Sequence, residues 1–236
     1  MKRALIVLAT VLALGSSLKA TPILIGTPGS TPQDYVPFGY GVQAQFIYSA
    51  VYFAGPVYIL GLTFFNTDIT ADPNMYDPAT YTFKLSTTTA SIASPSSSFS
   101  TNLGGDWKTF TYVSLAGAVP TGPSFTPEAS GACPTCGGGT PFYYDPANGN
   151  LLLEIDNPGG TNPLSSSIDY NDGFAVTRIF STDNSGFGAI DLNYGPVTEL
   201  TVEAAPEPAT LTLTGLGLLA LVRTAVHKRR DRLGQS

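Results

Sequence analysis

Histidine, cysteine and tryptophan are nearly absent from this sequence. The only histidine, His227, lies in the basic C-terminal segment, so residues 21–205 lack the commonest general base of enzymes. This absence excludes Ser-His-Asp and Cys-His catalytic groups from that region. A structural zinc site built of Cys and His ligands would need two more of them than the two cysteines of this region supply.

Basic residues are also scarce in the middle of the chain. Between Thr21 and Ala205, only Lys84, Lys108 and Arg178 stand against 15 acidic residues. The resulting balance of −12 is hidden in the whole-chain net charge of −6. A field of this sign repels nucleic acid and attracts cations, so the sequence predicts no nucleic-acid partner.

Residues 21–205 contain no ten-residue stretch with a convincing helical period. Instead, short runs rich in aromatic and aliphatic residues alternate with turns rich in Gly, Pro, Asn and Asp, which is typical of an all-β domain. In residues 81–86, alternation places Tyr81, Phe83 and Leu85 on a buried face and the polar residues on a face open to solvent. We predict a two-sheet antiparallel sandwich of jelly-roll type, with a β-barrel as the alternative. The predicted strands are residues 57–65, 81–86, 109–115, 151–155, 174–180 and 197–203.

The apolar runs at the two chain ends are shorter than an ordinary membrane span. At the N-terminus, two basic residues precede an apolar core at 4–14 and a small, polar stretch ending at Ala20. This pattern predicts a signal peptide over residues 1–20, handled by the Sec translocon and signal peptidase. A membrane anchor is the alternative, but the apolar core is well below the roughly 20 residues that a span needs.

The C-terminus combines a short motif, an apolar stretch and a basic tail. Pro206-Glu207-Pro208 is followed by an apolar run at 209–226, interrupted by Arg223, and by a basic segment at 227–232. The basic residues after the apolar run are Lys228, Arg229, Arg230 and Arg232. A core helix of a soluble domain is the alternative, but the uncharged run has no polar face at a helical period.

This order of features resembles the PEP-CTERM tail of exported proteins of Gram-negative bacteria. The resemblance covers residues 206–232, and it implies that Pro206, Glu207 and Pro208 are the recognition motif for an exosortase-type membrane enzyme. It also implies that 209–226 is a transmembrane helix, held transiently in the inner membrane with the basic tail in the cytoplasm. The processed protein would then reach the cell surface or the extracellular matrix and associate with polysaccharide.

A second segment resembles the ectodomains of the same group of proteins. A YDP turn at 144–146 precedes a GNLLL strand that begins at Gly149, as in many PEP-CTERM ectodomains of jelly-roll type. The turn and the core strand have an adequate structural explanation, so the resemblance implies a fold and no chemistry.

Cys133 and Cys136 form the only cysteine pair, in a glycine-rich loop. Their spacing is that of a redox-active C-x-x-C motif, but the sequence predicts no helix after it that would lower the pKa of a thiol. We predict a local disulfide, which an oxidising compartment would maintain.

Two loops carry oxygen ligands of the kind that calcium prefers. They contain Asp72, Asn74 and Asp77 in one case and Asp169, Asn171 and Asp172 in the other. Neither has the spacing of a twelve-residue calcium loop, and Asp and Asn also stabilise turns. The sequence predicts no cofactor and leaves calcium open.

The remaining candidates are a carboxylate pair and the single tryptophan. Glu154 and Asp156 are two residues apart on a predicted strand and so share a face. Trp107 precedes a strand, at an edge position compatible either with filling the core or with a platform that stacks on sugar rings. We predict an exported surface or matrix protein without catalytic activity. The alternative is a carbohydrate-binding or calcium-dependent binding module, and a glycan-active enzyme is less favoured.

Overall fold

The computed structural model describes residues 20–29, 33–39, 41–67, 75–119, 122–125, 136–137, 140–157, 168–173, 175–183, 185–205 and 217. The chain divides into two compact units, residues 1–204 and 205–236. Within the described part, the first unit contains 15 strands, two 3-10 turns and a single-turn α-helix, α1 (Phe99–Asn102). The strands are β1 (Thr21–Ile25), β2 (Gln33–Asp34), β3 (Gln43–Tyr48), β4 (Val57–Asn66), β5 (Met75–Thr88), β6 (Lys108–Ala118), β7 (Gly122–Phe125), β8 (Cys136–Gly137), β9 (Phe142–Tyr144), β10 (Asn150–Asp156), β11 (Ile168–Asp172), β12 (Val176–Ser181), β13 (Ala189–Asp191), β14 (Tyr194–Pro196) and β15 (Thr198–Ala204).

The strands form three sheets, and every described pair is antiparallel. A five-stranded sheet has the order β1-β15-β4-β7, with β9 also paired to β4. A seven-stranded sheet has the order β13-β12-β3-β10-β5-β6-β8. A small sheet has the order β14-β11-β2. The predicted all-β, antiparallel class is therefore confirmed.

The five- and seven-stranded sheets pack face to face over one hydrophobic core. The ring centroids of Phe64 on β4 and Phe83 on β5 lie 6.3 Å apart, and Phe38, from the segment between β2 and β3, lies 5.3 Å from Phe64. These rings are completely buried. Each stabilises the fold by about 1.5–3 kcal/mol relative to an exposed ring.

The six predicted strands all occur, within one or two residues of their predicted ends or inside longer strands. Residues 151–155 lie in β10, which pairs with β3 on one side and β5 on the other. Its nearly continuous apolar sequence is explained by burial on both faces, since Leu152 is as buried as Leu151 and Leu153.

The outer face of β5 differs from the prediction. Tyr81, Phe83 and Leu85 are buried as expected, but Ser86 on the opposite face is buried as well. The reason is that α1 and its flanking residues cover one half of the outer face. There Phe99 packs in a second apolar cluster with Ile47, Leu152 and Ile179. The other half of that face is polar.

Arg178 of β12 joins the small sheet to the seven-stranded sheet. Its guanidinium forms ion pairs with Asp34 of β2, at 3.0 Å but without hydrogen-bond alignment, and with Asp191 of β13, at 2.5 Å. Its Cζ also lies 5.2 Å from the ring of Tyr170 and 4.8 Å from that of Tyr194. These contacts explain how a charged side chain remains stable at 5 % exposure.

Candidate functional site

The polar half of the outer face carries a chain of hydrogen-bonded side chains across three strands. In the register of the sheet, Glu154 of β10 lies between Gln45 of β3 and Lys84 of β5. Residues directly opposite one another in adjacent strands point to the same face. With Asp156 and Asn102, these residues form what we call the outer polar network.

Lys84 is the centre of the outer polar network. Its Nζ donates to Glu154 Oε1 at 2.8 Å and also forms an ion pair with Asp156. Gln45 Nε2 donates to the other oxygen of Glu154 at 2.6 Å and to the carbonyl of Phe99 at 2.9 Å. Both carboxylate oxygens of Glu154 therefore have protein donors, and its side chain is only 3 % exposed.

Asn102 connects the network to the segment that covers the apolar half of the face. Its Nδ2 donates to Gln45 Oε1 at 3.1 Å and to the carbonyl of Ser96 at 2.8 Å. Its Oδ1 accepts from the backbone of Ser96 at 2.9 Å. This side chain satisfies backbone groups of the covering segment and fixes the orientation of Gln45.

The electrostatics of the network follow from one ammonium group between two carboxylates. Burial opposes the charge on Lys84, but hydrogen bonds to Asp156 and Glu154 outweigh burial and raise the pKa of Lys84. Burial raises the pKa of Asp156, and the hydrogen bond from Lys84 offsets part of that shift. With all three groups ionised, the network keeps one net negative charge.

Trp107 lies beside this network. Its side chain is 49 % exposed, and Lys84 Nζ lies over its ring, 5.9 Å from the centroid. Tyr112 of β6, which is 43 % exposed, lies opposite Thr82 in the register. The predicted ligand candidate is thus an exposed ring next to charged groups that remain partly open to solvent.

The sequence identified Trp107, Glu154 and Asp156, but it did not identify Lys84, Gln45 or Asn102. The available signal was the position of Lys84 on the polar face of residues 81–86. What the sequence lacks is the register that places Lys84 directly opposite Glu154.

The second calcium candidate, which comprises Asp169, Asn171 and Asp172, connects two loops through hydrogen bonds. Asp169 is fully buried, and its carboxylate accepts from the backbone N–H groups of Gly29 and Thr67, both at 2.9 Å. The Thr67 hydroxyl donates to both oxygens at 3.0 Å. Asn171 accepts from the backbone of Thr27 at 3.2 Å. Asp172 is the last residue of β11, and its side chain lies outside the described part of the structure.

The first calcium candidate is described in part. Asp72 and Asn74 lie outside the described residues. Asp77 is buried, with Asn157 Nδ2 at 3.4 Å from its Oδ2, and burial raises the pKa of its carboxyl group. Among the described residues, no three or more His, Cys, Asp or Glu side chains are grouped to hold a metal ion.

The remaining predicted sites fall largely outside the described ranges. Cys133 lies outside these ranges. Only the backbone of Cys136 is described, and in β8 it pairs with Val113 of β6. Residues 1–19 of the predicted signal peptide (1–20) also lie outside the described ranges. So do the predicted sorting motif Pro206-Glu207-Pro208, the apolar run at 209–226 apart from Gly217, and the basic residues Lys228, Arg229, Arg230 and Arg232. In the ranges that are described, no helix is long and apolar enough to span a membrane.

Comparison with known proteins gives no relative for this chain. No protein-family model, no curated protein and no solved structure matches it.

Proposed function

We propose that this chain is an exported, non-catalytic protein of the cell surface or extracellular matrix, sorted through a PEP-CTERM signal. One observation carries the proposal: the last strand, β15, ends at Ala204, two residues before Pro206-Glu207-Pro208. Prolines at 206 and 208 cannot donate a backbone hydrogen bond to a sheet, and they favour the extended form that a processing enzyme binds. The resemblance of residues 206–232 to PEP-CTERM tails supplies the identity of that enzyme class.

The strand order supports a jelly-roll fold for the exported domain. In an eight-stranded jelly roll, one sheet joins the first, eighth, third and sixth strands, and the other joins the second, seventh, fourth and fifth. The orders β1-β15-β4-β9 and β3-β10-β5-β6 match this arrangement if the other strands are counted as additions. The strands β7 and β9 pair with opposite ends of β4, as two halves of one interrupted strand.

The hydrogen bonds of the outer polar network support a non-catalytic role. A general acid or nucleophile needs an oxygen that reaches the substrate. Both oxygens of Glu154 accept hydrogen bonds from Gln45 and Lys84, and the side chain is nearly inaccessible. The carboxylate pair Glu154 and Asp156 is therefore better suited to a fixed binding surface than to a glycosidase. In a glycosidase, one carboxyl group acts as the acid and the other as the nucleophile or base.

A carbohydrate-binding module is the second candidate function. Half-exposed Trp107 next to Lys84 and Asp156 favours it, because an aromatic ring beside charged hydrogen-bonding groups can hold a sugar ring. The calcium-dependent version is less favoured, because the oxygens of Asp169 accept hydrogen bonds from Gly29 and Thr67.

The sorting proposal is tested by fractionating a Gram-negative host that has an exosortase-type enzyme. We expect the wild-type protein at the surface or in the matrix, without its C-terminal segment. Deletion of 206–236 should leave a folded protein that is exported but unsorted, because the signal peptide still directs it across the inner membrane. The double variant Pro206→Ala, Pro208→Ala should keep its tail and remain in the membrane fraction.

The matched control for the motif is Pro141→Ala, which changes an exposed proline outside it and should be sorted as the wild type. Intact, untrimmed wild-type protein in the cytosol would contradict the proposal. Normal sorting of the deletion variant would contradict it as well.

A further inference from the structure

We propose that Trp107, Asp156 and Lys84 form a calcium-independent binding site for a neutral polysaccharide built of hexopyranose rings. The inference deepens the proposed function, because it names the site and the ligand class through which a surface protein would contact the extracellular matrix.

The aromatic part of the site is Trp107. The side chain is 49 % exposed, whereas Phe46 and Phe83 of this sheet are completely buried. Its backbone is held in a tight turn, where its N–H donates to the carbonyl of Gly104 at 3.2 Å. Asp106 in that turn accepts from the backbone of Thr87 at 2.8 Å. An indole ring on such a turn has only two side-chain torsions to order, so it can stack on the C–H face of a sugar at little entropic cost.

The polar part of the site is the Lys84–Asp156 pair. Both side chains keep about a quarter of their surface exposed, 22 % and 24 %, while their partner Glu154 is buried. An ammonium donor beside a carboxylate acceptor complements vicinal hydroxyl groups, each of which both donates and accepts. Glu154 and Gln45 hold Lys84 in place from below, so the polar groups are ordered before the ligand arrives.

The charges select among polysaccharides. Two carboxylates against one ammonium leave the site negative, and residues 21–205 carry a balance of −12. Uronate and sulfate groups are therefore repelled. Calcium is not required, because the ammonium of Lys84 already occupies the position between the two carboxylates where a cation would bind.

The opposite sheet provides a matched control. Tyr58 and Tyr143 pair directly in β4 and β9 and are 38 % and 46 % exposed, with ring centroids 5.5 Å apart. Tyr143 is thus an aromatic residue of nearly the same exposure as Trp107. Lys84 and its partners Glu154 and Asp156 lie on the seven-stranded sheet, whereas the tyrosine pair lies on the five-stranded sheet. The variant Tyr143→Ala therefore tests whether an exposed aromatic ring binds polysaccharide non-specifically.

The experiment uses the full-length chain purified in detergent, so it does not depend on sorting. Migration is measured in native gels containing hydroxyethylcellulose or galactomannan, with alginate as the anionic polysaccharide and with EDTA throughout. We expect retardation in at least one neutral gel and none in alginate. Trp107→Ala should weaken binding about tenfold or more, Trp107→Phe should retain part of it, and Tyr143→Ala should leave it unchanged.

Asp156→Asn separates a binding role from a structural one. It should weaken neutral-glycan binding while leaving the urea midpoint within the range of the Tyr143→Ala control. No retardation of the wild type in either neutral gel would overturn the inference, as would equal retardation of Trp107→Ala or equal binding to alginate. Each of these results leaves the localisation result standing, so the two proposals fail independently.

Discussion

The carboxylate of Asp169 binds two segments that are distant in sequence. Its acceptor positions are used by the backbone of Gly29 and by the backbone and hydroxyl of Thr67. The side chain is completely buried, so its removal leaves these donors without their acceptor in a site that solvent does not reach. The residue acts as a structural anchor for the loops that follow β1 and β4.

We therefore predict that Asp169→Ala lowers the free energy of unfolding by about 3 kcal/mol or more, because it leaves buried donors unpaired. Urea denaturation followed by circular dichroism measures this loss. Glu199→Ala, on the partly exposed face of β15, is the control and should change stability by less than about 0.5 kcal/mol. Millimolar calcium should not raise the wild-type midpoint, and a rise would indicate a cation site instead of an anchor.

Residues of the candidate site could be predicted from the sequence only where their residue type and spacing alone suggest a functional role. The single tryptophan and the i, i+2 carboxylates stand out in the sequence. Gln45 and Asn102 are ordinary amides, and their importance depends on contacts 109 and 57 residues away in sequence. The long-range register that creates those contacts is set by the packing of the whole sheet.

At the scale of elements, strands with strong apolar runs were predictable and short or mixed strands were not. Residues 57–65 and 151–155 are dominated by aliphatic and aromatic side chains and were located closely. The strand β3 contains two glutamines and was missed, although it is central in the seven-stranded sheet. The single turn α1 was also missed, because its apolar contact is one residue, Phe99, and not a periodic stripe.

The turn that carries Trp107 offers a prediction at this scale. A Cβ at Gly104 would lie 1.8 Å from the carbonyl oxygen of Thr87, whereas a Cβ at Gly105 would have no atom within 4 Å. We expect Gly104→Ala to destabilise the protein by about 2 kcal/mol, because the backbone of β5 must move, and Gly105→Ala to have an effect of less than about 1 kcal/mol. Thermal unfolding measures both. The fluorescence of the only tryptophan, Trp107, reports whether the turn itself has moved.

Equal stability of the two variants would contradict this account of the turn. A shift in the emission of Trp107 with Gly105→Ala alone would contradict it too, because that position has open space around it.

For the whole molecule, the prominent feature is the number of tyrosines in the interior. Burial raises the pKa of all six tyrosines that contribute most to this feature. They are the buried residues Tyr48, Tyr76, Tyr81, Tyr144 and Tyr170, together with Tyr194, which is partly buried against the core. Several hydroxyls donate to backbone carbonyls, as Tyr170 does to Val36 at 2.6 Å and Tyr144 does to Gly149 at 2.7 Å. A phenolate cannot donate these bonds, so the fold requires the neutral form.

We predict that the protein unfolds cooperatively in alkali. In the unfolded chain, tyrosines lose their protons near their ordinary pKa of about 10, whereas the pKa of the folded residues is higher. The stabilisation is therefore complete below about pH 10 and is lost as the pH rises above it, by about 1.4 kcal/mol per pH unit for each fully buried residue such as Tyr48 or Tyr170.

Tyrosines that remain partly hydrated contribute less to this loss of stability. Lys84 acts in the same direction, because its folded pKa is also raised. Circular dichroism and phenolate absorbance, recorded together during an alkaline titration, should show that the buried tyrosines ionise in the same transition in which the sheet signal is lost. Complete tyrosine ionisation with an intact sheet spectrum would show that the interior tolerates phenolate and would refute the prediction.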